Sequence, residues 1–228
     1  METFFIPASG GIFFNFPASS THNLAALHQI AQQLIEDIQK TSWLEYIAVI
    51  FGIASVIFSR MEHILVYPVG MVNTGISIYL YVITGLYADA SVNFYYTVMS
   101  IIGWIMWAQK KQGQKVLKIT SSSKKDWIQS LAFFFICWIV LFLLLKNLTD
   151  STVPIADSFT SAAAFTGMWL MNKKKLDNWT WWIITDLASV PLNFYKHLVF
   201  LSFQYLVFLI LAIMGYITWR KKILHAEA

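Results

Sequence analysis

Charge is scarce in this sequence: 12% of its 228 residues are Asp, Glu, Lys or Arg, while 57% are hydrophobic. A soluble domain carries about twice that charged fraction, ~25%, so the solvent for most of this chain is lipid. Cysteine is nearly absent. Cys137 stands alone inside an apolar run, which excludes a disulfide within the chain and any cysteine-based metal site. The five histidines do not cluster: His22, His28, His63 and His225 lie outside the long apolar stretches and His197 at a junction, so no metal centre or catalytic base stands out. Enzyme motifs are missing as a class. There is no Walker A loop, no G-x-S-x-G, no H-E-x-x-H and no glycine-rich dinucleotide turn, so neither an enzyme nor a cofactor is expected and no internal energy source is encoded. The net charge of +4 does not mark a nucleic-acid binder, because the basic residues lie between apolar segments without interleaved aromatics. A cleaved leader is not expected either, since Met1-Glu2 opens without basic residues and Pro7, Gly10, Gly11 and Pro17 interrupt the apolar patches.

What is present is long apolar runs. A bilayer core of about 30 Å is crossed by roughly 17 to 25 mostly apolar helical residues. Seven stretches qualify: 43–59, 64–84, 88–108, 127–147, 155–171, 179–197 and 198–219. The last two are nearly continuous, and the division falls at Lys196-His197 because one span of about 40 residues would be twice the bilayer thickness. Upstream, Leu24, Leu27, Ala31, Leu34, Ile35 and Ile38 recur at helical spacing, with Gln32, Gln33, Glu36, Asp37 and Lys40 on the other side. The N-terminal segment 1–41 is therefore expected to hold an amphipathic helix lying on the membrane surface. Lysine and arginine divide unequally: Arg60, the 110–125 loop, 173–175 and 220–222 place thirteen on one side, against Lys40, Lys146 and Lys196 on the other. The positive-inside rule then puts the C-terminus in the cytoplasm and the N-terminus outside. Anionic-lipid or regulatory binding is the other reading of the same clusters.

The chain also resembles itself. Gly103-Trp104-Ile105-Met106-Trp107 matches Gly215-Tyr216-Ile217-Thr218-Trp219 at an offset of 112, and at 113 Arg60 falls on Lys173 and Asn73 on Asp186. Three helices are an odd number, so a second copy would be upside down unless one helix separated the two. The span 127–147 is that helix. The expected fold is all-α, a 3+1+3 transmembrane domain over 42–222 with parallel repeats 43–111 and 155–222 and a tail 223–228. Its natural substrate site is the repeat interface near mid-membrane. Chance similarity between apolar segments is the alternative.

Polar residues inside such spans are costly unless paired or wetted. Asp186 is the clearest, and helical spacing puts Trp179, Trp182 and Asp186 roughly on one face. An aromatic wall beside a carboxylate suits a flat, cationic heteroaromatic solute. The bland reading is an interfacial tryptophan belt with Asp186 paired to a neighbouring helix; a proton-coupling role for Asp186 is a third. Asn73, as the repeat mate of Asp186 at offset 113, would face it across the axis. Asn93, Gln204, Asn193 and Tyr205 join the candidate set, with Tyr79, Tyr81, Tyr95, Tyr96 and Tyr195 as weaker positions. Glu45 and Asp157 mark the outer ends of equivalent helices.

Ser42-Trp43-Leu44-Glu45 opening the first span, Tyr87-Ala88 opening the third, Gly103-Trp104-Ile105-Met106-Trp107 closing it, and Asn178-Trp179 leading to Trp182 and Asp186 resemble the PnuC vitamin-precursor transporters over residues 42–222. The resemblance implies a SWEET-like facilitator of the bacterial inner membrane, a homotrimer, carrying nicotinamide riboside down its gradient. A cytoplasmic kinase would then trap the substrate by phosphorylation. One departure bears on the substrate, because nicotinamide riboside members often have asparagine where this chain has Asp186. A carboxylate suits any cationic ring, so thiamine is the alternative cargo. A non-transporting seven-helix receptor is the remaining class, its retinal version disfavoured because no lysine lies in the middle of the last span.

Overall fold

A computed structural model describes residues 20–227 apart from 112, 113, 116 and 150; the expectations for residues 1–19 lie outside them. The fold is all-helical. Its helices are α1 (Ser20–Lys40), α2 (Trp43–Met61), α3 (Val66–Ile83), α4 (Tyr87–Ala108), α5 (Lys124–Leu148), α6 (Pro154–Asn172), α7 (Asn178–Tyr195) and α8 (Val199–Glu227). A two-residue antiparallel ladder, Lys110–Lys111 with Gln114–Lys115, interrupts the α4–α5 connection. Local chemistry sets several starts. The Ser42 hydroxyl accepts from the Glu45 amide while the Glu45 carboxylate accepts from the Ser42 amide, and Ser123 and Asp126 build the same reciprocal cap on α5. Pro154 opens α6 where its missing N–H costs nothing.

The helices pack as a closed ring in which α2 touches α3, α3 touches α4, α4 touches α6, α6 touches α7, α7 touches α8 and α8 returns to α2. Helix α5 stands outside, against α6. Burial follows this order: eleven of the nineteen residues of α6 are buried, against two of the twenty-five of α5. Four helices, α2, α3, α5 and α8, are long and apolar enough to cross a membrane. Helices α6 and α7 carry hydroxyls, amides and, in α7, a carboxylate into the packed interior, where neighbouring helices rather than lipid are the solvent.

Helices α2–α4 and α6–α8 correspond at a spacing of 112. Helices α3 and α7 match end for end, and the four positive-φ residues of the described chain form two pairs at that spacing: Glu62 with Lys174, and Gly85 with His197. The turns agree bond for bond. His63 donates to the Phe58 carbonyl as Lys175 does to Leu170, and Leu86 to Tyr81 as Leu198 does to Asn193, the 6→1 bonds of Schellman-type ends. The offset of 113 read from the sequence is therefore not the one the folded chain uses. Asn73 corresponds to Thr185, and Asp186 to Thr74. The sequence match at 113 came from polar residues one position apart, which helical geometry places on adjacent faces.

Helix α1 lies against α8. Its contact residues include two from the side expected to face water: Gln33 Nε2 donates to the His197 carbonyl at 2.6 Å, and Asp37 Oδ2 accepts from the Phe200 amide at 3.3 Å. Helix ends present carbonyls and amides outside the backbone ladder, and at the α7–α8 break the His197 carbonyl and the Phe200 amide take polar side chains of α1 as partners.

Candidate functional site

At the end of the ring where α2, α4, α6 and α8 approach the basic loops, the interior is shut. Trp107 Nε1 donates to the carbonyls of Met171 and Asn172 at 3.3 and 3.2 Å; Trp219 Nε1 donates to those of Ser59 and Arg60 at 3.1 and 3.2 Å. Each indole thus satisfies the orphan acceptors of a helix end, and it does so across the two triplets, α4 capping α6 and α8 capping α2. Four rings run between them: Tyr67 stands edge-on to Trp107 at 5.2 Å, Trp107 lies 6.2 Å from Trp219, and Trp219 stands edge-on to Trp179 at 5.6 Å. All four are at most 4% exposed. Glycine makes the approach possible, since a Cβ on Gly215 would meet the Trp179 ring at 2.6 Å and one on Gly103 would collide with Tyr67 and Asn172.

An ion pair seals this end. Lys174, 1% exposed, lies over the Trp107 ring at 4.6 Å and reaches Glu62 Oε1 at 2.7 Å, while Lys222 reaches Oε2 at 3.1 Å. Burial raises the Glu62 carboxyl, but the hydrogen bonds and charges of Lys174 and Lys222 outweigh it and hold it below its ordinary value.

Above this plug, α7 presents Trp182 and, one turn on, Asp186. Trp182 packs on Gly167, where a Cβ would lie 3.2 Å from the indole, and its ring is 6.4 Å from Tyr96 of α4. Tyr96 in turn meets Phe165 edge-on at 5.7 Å, beside the Tyr95–Phe165 stack at 3.8 Å. Asp186 is 3% exposed and, among the described residues, makes no hydrogen bond or ion pair. Tyr96 of α4 and Tyr205 of α8 lie within electrostatic reach of it, deep in the bundle yet each keeping accessible surface. The arrangement is an aromatic box with one carboxylate in it, open in chemistry to a flat cation and lacking any nucleophile–base pair.

The opposite end is polar. Glu45, Tyr81, Asp89, Asp157 and Lys196 gather there from the ends of five helices, with Lys196 Nζ 2.5 Å from Asp157 Oδ1 and Ser151 Oγ donating to Asp157 Oδ2 at 2.7 Å. Tyr205 is in electrostatic reach of both Tyr81 and Asp186, which connects the acidic mouth to the buried carboxylate.

The remaining candidates separate. Trp179 sits in the plug, one turn below Trp182. Asn73 Nδ2 donates to the Ala48 carbonyl at 2.6 Å, Asn93 Nδ2 to Asp89 at 3.0 Å and Asn193 Nδ2 to Ser189 at 2.8 Å, so these three amides brace helices. Gln204 is half-buried next to Tyr205. Sequence reading missed Phe165, Gly167 and the plug residues Tyr67, Trp107, Trp219, Glu62 and Lys174. The available signal was the 112-residue spacing, which pairs Tyr67 with Trp179, Trp107 with Trp219 and Glu62 with Lys174.

A ring of partly polar helices around an aromatic box, shut at one end, is the build of a membrane carrier. The profile of the family described as "Nicotinamide mononucleotide transporter" matches residues 42–221, and the chain belongs to that family. It is a family of transporters, not of enzymes, and the protein is a multi-pass membrane protein. Relatives include the nicotinamide riboside transporters PnuC of Escherichia coli (strain K12), 22% identical over 78% of this chain and 85% of the relative, and of Neisseria mucosa, 23% identical over 80% and 73%. The fold matches a crystal structure described as that of the vitamin B3 transporter PnuC, with a TM-score of 0.64, 21% identity and coverage of 90% of this chain and 92% of the other.

Proposed function

We propose that this protein carries nicotinamide riboside across the bacterial inner membrane by facilitated diffusion, through a site between α2–α4 and α6–α8. The observation that carries the reading is Asp186. A carboxylate without a partner in a low-dielectric interior costs several kcal/mol, and a cationic pyridinium stacked against Trp182 and Tyr96 would supply the missing charge. The family and the names of its relatives point to the same cargo. Thiamine is the second reading, favoured by the same carboxylate, since it too is a cation with a flat ring.

In this reading α2 to α8 all cross the bilayer in a SWEET-like 3+1+3 arrangement, supported by the constant spacing of 112 between the triplets and by the place of α5 outside the ring. The N-terminus lies outside and the C-terminus in the cytoplasm, supported by the lysine distribution; α1 rests at the outer interface. The plug then faces the cytoplasm and the acidic mouth faces outward. Substrate enters past Glu45 and Asp89, rests at Asp186, and leaves when the Trp107–Trp219 plug parts. Phosphorylation by a cytoplasmic kinase makes uptake one-way, and the working unit is a homotrimer. Uptake into proteoliposomes of nicotinamide riboside, thiamine and riboflavin, measured in parallel, tests this. Saturable uptake of nicotinamide riboside alone is the expected result; thiamine alone would transfer the site to the second reading, and no uptake of any would sink both.

A further inference from the structure

Away from the substrate path, a recess of about 470 Å³ opens on the outside of the ring between α2 and α8. Helix α8 contributes Met214, Ile217, Thr218, Lys221, Lys222 and His225, which recur at intervals of three and four and so form one continuous stripe. Helix α2 contributes Arg60. The stripe changes character along its length. Met214 and Ile217, 38% and 48% exposed, form an apolar floor, and beyond Thr218 Lys221 and Lys222 are cationic.

The cations are arranged rather than merely gathered. Arg60 Nε donates to Thr218 Oγ1 at 3.1 Å and its Nη1 lies 4.0 Å from the Met214 sulfur, so the guanidinium is pinned while, among the described residues, its other N–H donors meet no oxygen acceptor. Among the described residues no carboxylate lines the recess. Glu62 is already shared between Lys174 and Lys222, and among the described residues Arg60 and Lys221 have no acidic partner. A pinned guanidinium matches a phosphate through paired N–H···O bonds, and basic pockets between helices at a membrane edge are sites where anionic headgroups lodge. A soluble phosphate would have no use for the apolar floor; a lipid would.

We propose that this recess binds an anionic phospholipid, with its phosphate held by Arg60 and Lys221 and an acyl chain running along Ile217 and Met214. The inference does not depend on the cargo, only on α8 leaving the bilayer near Thr218–Lys222.

The test uses full-length protein purified in a neutral detergent, with phosphatidylglycerol, phosphatidylcholine or inorganic phosphate added, followed by thermal unfolding and native mass spectrometry. Phosphatidylglycerol is expected to raise the unfolding temperature by roughly 5 °C at saturating concentration and to remain bound in the mass spectrum; the other two are expected to do neither. Arg60→Gln with Lys221→Gln should lower lipid retention at least fivefold. Because Arg60 also braces Thr218, Lys221→Gln with His225→Asn serves as a second pair that removes charge from the recess without touching that bond, and it should lower retention at least twofold. Equal stabilisation by phosphatidylcholine, a shift with inorganic phosphate alone, or retention unchanged in both variant pairs would overturn the proposal.

Discussion

The two triplets share a backbone and divide the chemistry. Where α7 has Trp182 on Gly167, the corresponding place in α2–α3 holds Gly70 next to Ser55, a Cβ at Gly70 lying 3.0 Å from the serine hydroxyl. Where α7 has the unpartnered Asp186, α3 has Thr74, its hydroxyl 2.8 Å from that of Thr97. At the plug, by contrast, the triplets stay alike: Trp107 and Trp219 perform the same capping reciprocally. Symmetry is kept at the plug, where the two halves close on each other, and is lost between Trp182–Asp186 of α7 and Gly70–Thr74 of α3. The lost symmetry also leaves unequal bulk, glycine and serine in one triplet where the other has an indole and glycine.

The equivalence of the plug residues is the easiest part to break. Trp107→Ala and Trp219→Ala should each cost about 3–5 kcal/mol through the cavity and the uncapped helix end, read as matched drops in thermal unfolding temperature. A difference between the two larger than about 1.5 kcal/mol would mean that the halves are alike in shape but not in load. Next is Glu62→Ala, which leaves Lys174 buried without its carboxylate and should cost about 3 kcal/mol. The same pair gives a pH test. The folded-state pKa of Glu62 lies below its unfolded value, so its contribution is complete above about 4.3, the unfolded carboxylate value, and is lost as pH falls through the folded one. Unfolding temperature should therefore decline more steeply with acidification in the parent than in Glu62→Ala.

Differences between the triplets should appear in binding rather than folding. Asp186→Asn and Trp182→Ala are each expected to weaken substrate affinity at least tenfold, about 1.4 kcal/mol, by thermal-shift titration or concentration-dependent uptake, with folded protein still recovered. Unchanged affinity in both would return them to structural roles. Thr74→Val, at the mate of Asp186, should change affinity by less than about twofold; a larger effect would place the first triplet in the site as well.

Much of the frame was readable because apolar runs and their breaks are local signals. The break near Lys196-His197 could be placed from bilayer thickness alone, and it falls between α7 and α8 with His197 at φ 60°. The face joining Trp182 to Asp186 was readable from helical spacing within one helix. What spacing cannot give is the partner on another helix. Tyr96 ranked no higher than other tyrosines, and Tyr205 was a candidate without a known neighbour, until α4 and α8 were seen to converge on α7; Asn73 looked like a mate of Asp186 until the turns fixed the spacing at 112. Trp107 and Trp219 were visible as a repeated motif, but a tryptophan near a span end reads equally as a lipid-belt residue. Glu62 was passed over because a lone acid between two spans carries no hint of a lysine 112 positions away.

The crossed capping bonds bear on how such a chain could have arisen and on how it could be cut. A polypeptide comprising only α6–α8 would leave the Trp219 indole without the Ser59 and Arg60 carbonyls, and its own Met171 and Asn172 carbonyls without an indole. Two copies set side by side would restore both. Each half thus carries both members of the exchange, an indole and a pair of helix-end carbonyls, and spends each on the other half. Helix α5 joins the two halves into one chain while standing outside the ring, against α6.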